Sequence, residues 1–112
     1  MTLYCPNDGE ILLLQYIVGL TLADNPVLHL YSSDITPSDT TPKSSLTEVT
    51  SAGYAPITLL SANWTVAPNG GVTTAMYSEQ TFAFSTDAVA YGYYVTNESD
   101  QLLWVERFSG AP

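Results

Sequence analysis

Basic residues are almost missing from this chain. Lys43 and Arg107 are the only two, against eleven Asp and Glu residues, and the formal net charge is -9. A nucleic-acid partner requires several cations on one surface, and an anionic membrane attracts basic segments in the same way. We therefore expect neither nucleic acid nor a membrane as a partner. The acidic balance instead favours solubility, or docking on a surface of opposite sign.

Cysteine and histidine are equally scarce. Cys5 is the single cysteine, so no disulfide and no cysteine-based zinc site can form within one chain. His29 is the single histidine, and a metal site or catalytic site would require companions for it. We interpret it as a hydrogen-bonded residue of a strand. These absences predict no metal and no cofactor.

Recognisable catalytic motifs are missing as well. The chain has no glycine-rich phosphate loop, no CxxC pair and no Ser/His/Asp set. Asp34 and Asp39 do not match the spacing of a calcium loop. Glu98, Asp100 and Glu106 are most simply acids of a turn and an exposed strand rather than paired catalytic carboxylates. We predict no catalytic residues, and an acid hydrolase is the weakest alternative.

No apolar run is long enough to cross a bilayer. The longest, Ile11 to Leu22, is interrupted by Gln15, Gly19 and Thr21. The amino terminus also lacks the pattern of a signal peptide. Charged residues make up only 12% of the chain, about half the usual share. A hydroxyl-rich surface of this kind is typical of extracellular or virion proteins that pack into assemblies.

The length and the turn pattern predict the fold class. With 112 residues, the chain is long enough for one domain with its own core. Short alternating segments separated by turn residues indicate a mainly β protein. We expect residues 1–112 to form a single antiparallel β-sandwich or flattened barrel, with one short helix near the amino terminus.

The helix is predicted at residues 8–18. Asn7 followed by Glu10 resembles a capping box, and Gly19 is a natural stop. The segment has almost no polar face, and one of its sides carries Ile11, Leu14 and Val18. Such a helix is buried on several sides. In a domain this small, we expect part of that burial to come from a partner.

Residues 88–108, AVAYGYYVTNESDQLLWVERF, give the strongest hairpin signal in the chain. β-branched and aromatic residues fill both arms, and the polar turn NESD divides them. If these four turn residues are the loop, Thr96 faces Gln101 and Tyr93 faces Trp104. Both faces of the hairpin are mostly apolar, so we expect it to be covered on two sides.

Between the helix and the hairpin, the sequence predicts short strands and one long loop. In chain order they are a strand at 27–32, a polar loop at 33–45, an edge strand or bend at 46–59, a strand at 60–66 with Trp64 in the core, a turn at 68–71 and a strand at 72–84.

A set of sequence segments occurs in a distinctive order. They are PNDGE with the apolar helix, LHLYSSDITPSDT, GYAPITL, WTV, YSEQTFAFS, and finally YGYYVT and LLWVERF in tandem. The set spans nearly the whole chain, its last two members are the most specific, and it resembles a family of small structural proteins of tailed-phage virions. Members of that family continue past ERF with a further polar turn and strand, whereas this sequence stops at residues 109–112. The resemblance therefore implies either that the chain is trimmed or that the last strand comes from elsewhere.

The resemblance also implies a function and a location. It implies a non-enzymatic virion component, with capsid decoration (cement) as the leading role and tail or fibre attachment as the alternative. The implied partners are the major capsid protein or another virion protein, together with copies of the same chain in a homotrimer, because decoration proteins often occupy threefold positions of capsids.

Apolar side chains on the helix and the hairpin are the candidate partner contacts. They are Ile11, Leu14, Tyr16, Val18, Tyr91 and Tyr94. A carbohydrate-binding module is a further alternative, because aromatic faces stack on sugars. That function would require Tyr91, Tyr93 and Trp104 to form an exposed, coplanar set, and their burial would count against it.

Overall fold

Seven strands and one α-helix form the regular structure of the computed structural model, which describes residues 3–112. In chain order they are β1 (Leu3–Tyr4), α1 (Asn7–Ile17), β2 (Val27–Tyr31), β3 (Ile57–Thr58), β4 (Thr65–Asn69), β5 (Val72–Met76), β6 (Gly92–Thr96) and β7 (Leu102–Arg107). Five strands form one open antiparallel sheet in the order β1-β7-β6-β2-β3, and β4 and β5 form a separate hairpin. The predicted mainly β fold with one short amino-terminal helix is confirmed.

Helix α1 lies within one residue of its predicted bounds, but its amino-terminal cap differs. The capping box is wrong, because Asn7 is already helical and Pro6 occupies the cap position. Pro6 offers only its carbonyl, which accepts the Glu10 amide at 2.9 Å. The Asn7 amide instead donates to the Asp39 carbonyl at 2.9 Å. The loop after β2 therefore supplies the partner that the predicted cap would have supplied.

The carboxyl end of α1 is the stop that the sequence predicts. Gly19 has a φ of +78°, in the left-handed region that favours glycine. The amide of Gly19 donates to the Tyr16 carbonyl, and the amide of Leu20 donates to the Gln15 carbonyl. This pair of bonds is a Schellman motif, which satisfies carbonyls that would otherwise be unpaired at the helix end.

Strands β6 and β7 form the predicted hairpin, but the predicted register is wrong. The observed pairs are Tyr93 with Glu106, Val95 with Trp104, and Thr96 with Leu102. The register shifts between Val95 and Thr96, so β7 has one extra residue, Leu103, at this point. Counting outward from the turn cannot reveal such a bulge. Tyr93 and Trp104 are consequently diagonal neighbours on one face rather than a direct pair.

The sheet is covered on both faces, as the sequence predicts for its central hairpin. On one face, Leu12 of α1 packs in the helix-side cluster, whose other members are Val95, Leu103, Tyr16, Leu28, Tyr93 and Trp104. On the opposite face, the segment after β2 contributes to the loop-side cluster, which contains Tyr31, Leu46, Tyr94, Leu102, Val105, Tyr4, Ile35 and Tyr91. The bulge makes this division possible, because it places Leu103 and Trp104 on the same side.

The polar segment 33–45 is a loop, as predicted, and it covers the loop-side cluster. Pro37 and Thr41 are buried in it, and a short 3-10 helix spans Lys43–Ser45. Arg107 holds the loop, because its Nη1 donates to Asp34 Oδ1 at 2.8 Å and to the Ile35 carbonyl at 2.9 Å. Beneath the loop, the buried Tyr31 hydroxyl has no hydrogen-bond partner among residues 3–112.

Two predicted strands in the middle of the chain are partly wrong. In place of a strand at 60–66, a 3-10 helix spans Ser61–Asn63 and β4 begins only at Thr65. Trp64 is half-buried rather than in the core, with its ring edge-on to Tyr77 at 5.0 Å between centroids. The hairpin that follows Trp64 is separate from the main sheet, and Trp64 belongs to neither core cluster.

The predicted strand at 72–84 ends at Met76. The alternation of its later residues has a different cause, because Phe82 and Phe84 stack on the ring of Tyr54 at centroid distances of 5.7 and 6.2 Å. Tyr54 in turn accepts the Leu30 amide at the edge of β2. For residues 46–59 the sequence predicts an edge strand or a bend. In the structure this segment contains β3, which is an edge strand of the sheet.

A first prediction concerns the contact between α1 and β7. A Cβ at Gly9 would lie 2.0 Å from the Leu103 carbonyl oxygen, which is backbone and cannot easily move. We expect Gly9→Ala to lower the free energy of unfolding by about 1 to 3 kcal/mol, although alanine favours helix by about 1 kcal/mol over glycine. Urea unfolding followed by circular dichroism measures the change, with Glu10→Ala at an exposed site of the same helix as the control. An unchanged Gly9→Ala stability would contradict the close packing.

Candidate contact surface and buried polar network

Helix α1 exposes several large apolar side chains to solvent. Its inner side buries Gly9 and Leu12, whereas Ile11, Leu14 and Val18 are 56%, 62% and 66% exposed. Ile17 is the last residue of the helix, and Leu20 and Leu22 extend the same exposed run beyond it. We call the six residues Ile11, Leu14, Ile17, Val18, Leu20 and Leu22 the α1 stripe. Within residues 3–112 no helix has the length and apolar character to span a bilayer.

The structure separates the candidate contact residues into an exposed group, a half-buried group and one buried residue. Ile11, Leu14 and Val18 belong to the α1 stripe. Tyr16 is half-buried against the hairpin, where its hydroxyl accepts a bond from the Asn97 side chain at 3.3 Å. Tyr91 is half-buried below the Arg107 guanidinium, which lies 5.1 Å from the ring centroid. Tyr94 is 1% exposed, so the folded chain cannot present its ring to a partner.

Sequence reasoning missed the carboxyl-terminal half of the α1 stripe. Ile17, Leu20 and Leu22 are more than three-quarters exposed, yet none was a candidate. For Leu20 and Leu22, the available signal was the apolar run that continues past Gly19, beyond the end of the helix. A large apolar surface of this kind usually marks a contact site.

Acidic side chains lie at both ends of the α1 stripe. Asp8 and Glu10 occupy the first turn of α1, and the helix has no basic residue in its last turn. At the other end, Asp24 follows Leu22, and its Oδ1 accepts the Glu98 amide at 3.2 Å. The stripe is therefore an apolar centre with carboxylates at its ends.

Both cations of the chain are already in ion pairs. Lys43 pairs with Asp100, and Arg107 pairs with Asp34. Lys43 and Asp100 also line a pocket of about 300 Å³ that opens beside the stripe, together with Asp8, Ile11, Leu12, Gln15, Gln101 and Leu102. A basic side chain of a partner would meet the Asp8 carboxylate there, whereas an acidic one would be repelled.

A polar network fastens β2 to the segment that follows it. His29 Nδ1 lies 2.7 Å from Glu48 Oε2, and His29 Nε2 lies 2.9 Å from Thr96 Oγ1. Because a carboxylate only accepts, we assign the Nδ1 proton to the bond with Glu48. The Tyr54 hydroxyl donates to the same Glu48 oxygen at 2.7 Å. His29 is 6% exposed with both ring nitrogens bonded, so its interpretation as a hydrogen-bonded strand residue is confirmed.

The same network has the order of a hydroxyl, a histidine and a carboxylate, as in nucleophilic catalysis. Thr96 would be the nucleophile, but it is 1% exposed and lies inside the sheet. The His29 ring is also stacked on Tyr94, with centroids 4.6 Å apart and planes 5° from parallel. A substrate cannot reach the Thr96 hydroxyl in this arrangement. We therefore assign the network to packing between β2, β6 and the segment of Glu48 and Tyr54.

The proposed sugar-binding rings do not share a surface. Tyr93 and Trp104 pack with the helix-side cluster, whereas Tyr91 packs with the loop-side cluster on the opposite face of the sheet. The three half-buried rings cannot form one platform. Tyr93 instead lines a largely apolar pocket of about 320 Å³ with Leu28, Leu30, Gln80, Phe82 and Phe108. No group of three or more His, Cys, Asp or Glu side chains within residues 3–112 is placed to hold a metal ion.

A second prediction follows from the buried tyrosines. Burial is the main cause that raises the pKa of Tyr31, Tyr54, Tyr93 and Tyr94. Hydrogen bonds to the carboxylates of Glu48 and Glu106 add to the raised pKa of Tyr54 and Tyr93, respectively. Since the folded-state pKa lies above the unfolded one, the stability from these groups is present below pH about 10 and is lost above it.

Absorbance at 295 nm tests this directly, because it reports ionised tyrosine. At pH about 10.5 the folded protein should show a clearly smaller signal than the urea-unfolded chain. Urea unfolding at pH 8 and at pH about 10.5 should show a lower free energy of unfolding at the higher pH. Equal amplitudes for folded and unfolded protein would contradict the protection of these hydroxyls.

Neither models of protein families, nor curated proteins, nor solved structures gave a match to this chain. The resemblance of its motifs to phage structural proteins therefore stands as a hypothesis, and the α1 stripe is the feature of the fold on which a function can be argued.

Proposed function

We propose that the protein is a non-enzymatic capsid decoration (cement) protein that seats the α1 stripe on the major capsid protein of a phage head. The observation that carries this proposal is the stripe itself, whose members are at least 56% exposed although all are large and apolar. The motif resemblance supplies the virion as the location. Adhesion alone would be the activity, with added contacts stabilising the lattice.

The stripe has enough apolar surface to support binding. Complete burial of a Leu, Ile or Val side chain contributes about 1.5 to 3 kcal/mol. The six residues together therefore supply several kcal/mol beyond what is already buried, which offsets the loss of translational and rotational freedom on association. Repetition of the site over a lattice adds to the effect, because neighbouring copies bind to one particle.

The surrounding carboxylates define the partner surface. An apolar patch with Lys or Arg at its ends fits a stripe bordered by Asp8, Glu10, Asp24 and Glu98. Salt should weaken the charged part of this contact and leave the apolar part. An anionic membrane or nucleic acid would meet repulsion from a chain of net charge -9.

The proposed assembly is a homotrimer at a threefold position of the head. This choice comes from the motif resemblance, and closed symmetry is the usual outcome for identical subunits. A tail or fibre protein of the same virion is the alternative. Imaging of intact particles by electron microscopy separates the two, because density on the tail alone would contradict the cement role.

A third prediction tests the stripe as the seat of binding. We expect Leu14→Asp combined with Val18→Asp to weaken binding to capsids by more than about 100-fold, because two carboxylates would be buried against an apolar surface. Cosedimentation of the purified protein with undecorated heads measures the binding. The fold should survive, since both positions face solvent.

The matched control places a carboxylate on another exposed apolar residue. Val89, which is 52% exposed and lies outside α1, serves as Val89→Asp. This variant should bind as the unmodified protein does. Undiminished binding of the Leu14 and Val18 double variant would remove the stripe from the contact, and failure of the unmodified protein to bind any virion particle would remove the proposed function.

A further inference from the structure

One long segment of this chain has no charged side chains. Residues 49–78 contain no Asp, Glu, Lys or Arg, so all eleven acids and both cations lie outside them. Two copies of a chain with net charge -9 repel each other over most approaches. The uncharged segment is where two copies meet with the least repulsion, and it contains the β4-β5 hairpin, which we call the arm.

The arm stands apart from the main sheet. Every residue of β4 is exposed, and so is every residue of β5 except Thr74. Its root is fixed, because the Tyr77 hydroxyl accepts the Leu60 amide at 3.1 Å and the Asn63 side chain at 3.3 Å. An isolated two-stranded hairpin is marginally stable in water. Additional pairing would therefore stabilise the arm.

The two outer edges of the arm differ. Gly70 and Gly71 have φ values of +60° and +85° and form a two-residue turn of the type that favours hairpins. The flanking Asn69 and Val72 are then the first hydrogen-bonded pair, and pairs alternate from there. The next pair outward is Pro68 with Thr73, and the pair two further along is Val66 with Ala75.

These alternate pairs direct their backbone groups away from the hairpin. On β4 the outward positions are Val66 and Pro68, and Pro68 has no amide to donate. On β5 they are Thr73 and Ala75, whose amides bond to no other element within residues 3–112. The β4 edge is therefore blocked by proline, as is common at protected sheet edges, whereas the β5 edge is open.

We infer that the β5 edge pairs with the β5 edge of a second copy of this chain. The two β5 strands run antiparallel about a twofold axis. Thr73 of each copy therefore exchanges hydrogen bonds with Ala75 of the other copy. The result is a four-stranded sheet in which β4 of each copy is the outer strand. A side-by-side strand pairing of this kind uses main-chain bonds for attachment.

This contact goes beyond the proposed function and is separate from the α1 stripe. A twofold contact does not build a trimer, so on a capsid it would join copies from neighbouring trimers. In solution it doubles whatever assembly the other surfaces form. The two proposals therefore fail independently, because capsid binding reports on the stripe and the doubling of mass reports on β5.

The test is a pair of proline substitutions at one cross-strand pair. Ala75→Pro removes one of the two outward amides of β5, and Val66→Pro removes the outward amide of β4 directly opposite. Neither amide is used inside the arm, so neither substitution removes a hydrogen bond of the hairpin. Sedimentation equilibrium of the full chain should show that Ala75→Pro halves the mass of the unmodified assembly and that Val66→Pro leaves it unchanged.

A second measurement does not depend on tolerance of proline. In a Cys5→Ser background, cysteine is placed singly at Thr73, Thr74 or Ala75, and separately at Ala67 of β4. Mild oxidation should link two chains through at least one of the β5 positions, because facing residues of paired strands lie within disulfide range. Ala67→Cys should give no linked chains.

Several results would overturn the inference. One is an unmodified protein that is monomeric at the highest concentration studied. Another is an assembly of Ala75→Pro with the same mass as that of the unmodified chain, and a third is cross-linking at Ala67→Cys as strong as at the β5 positions. Equal halving by both proline variants would also overturn it, because the effect would then come from the arm as a whole and not from its open edge.

Discussion

A single extra residue in β7 determines which side chains of that strand pack in each of the two core clusters. Leu103 interrupts the regular alternation of the strand, so it shares a face with Trp104 while Leu102 and Val105 share the other. Without Leu103, the residues of β7 beyond that point would face the opposite side of the sheet and would lie in the other cluster. The carbonyl of Leu103 is also the place where α1 approaches through Gly9. The bulge thus fixes both the sheet and the position of the helix that exposes the stripe.

Elements determined by neighbouring residues could be predicted from the sequence. The stop at Gly19, the turn at Asn97 to Asp100 and the edge position of β3 depend on local backbone preferences, and all are present. The hairpin register could not be predicted in this way. A bulge is favoured by what packs on either face, and that information comes from α1 and the loop after β2, which are distant in sequence.

The candidate contact residues could likewise be predicted only in part from the sequence. The lack of a polar face on α1 predicts that apolar side chains remain outside, and Ile11, Leu14 and Val18 do so. The hairpin gives no such guide, because both of its faces are apolar and the pattern does not say how deeply each ring is covered. Tyr94 is consequently in the core beneath His29. The partners of His29, Glu48 and Tyr54, lie in a segment whose sequence has no periodicity to place them.

The loop that covers the sheet is held by an unusual combination. One of the chain's two cations, Arg107, fixes Asp34 and Ile35, and the other, Lys43, joins the loop to Asp100. Below it, the Tyr31 hydroxyl is buried and finds no hydrogen-bond partner in the described part of the chain, residues 3–112, an arrangement that costs about 1 to 3 kcal/mol. Displacement of the loop would let water bond to that hydroxyl. That new bond would offset part of the free energy needed to break the Arg107 and Lys43 contacts that hold the loop.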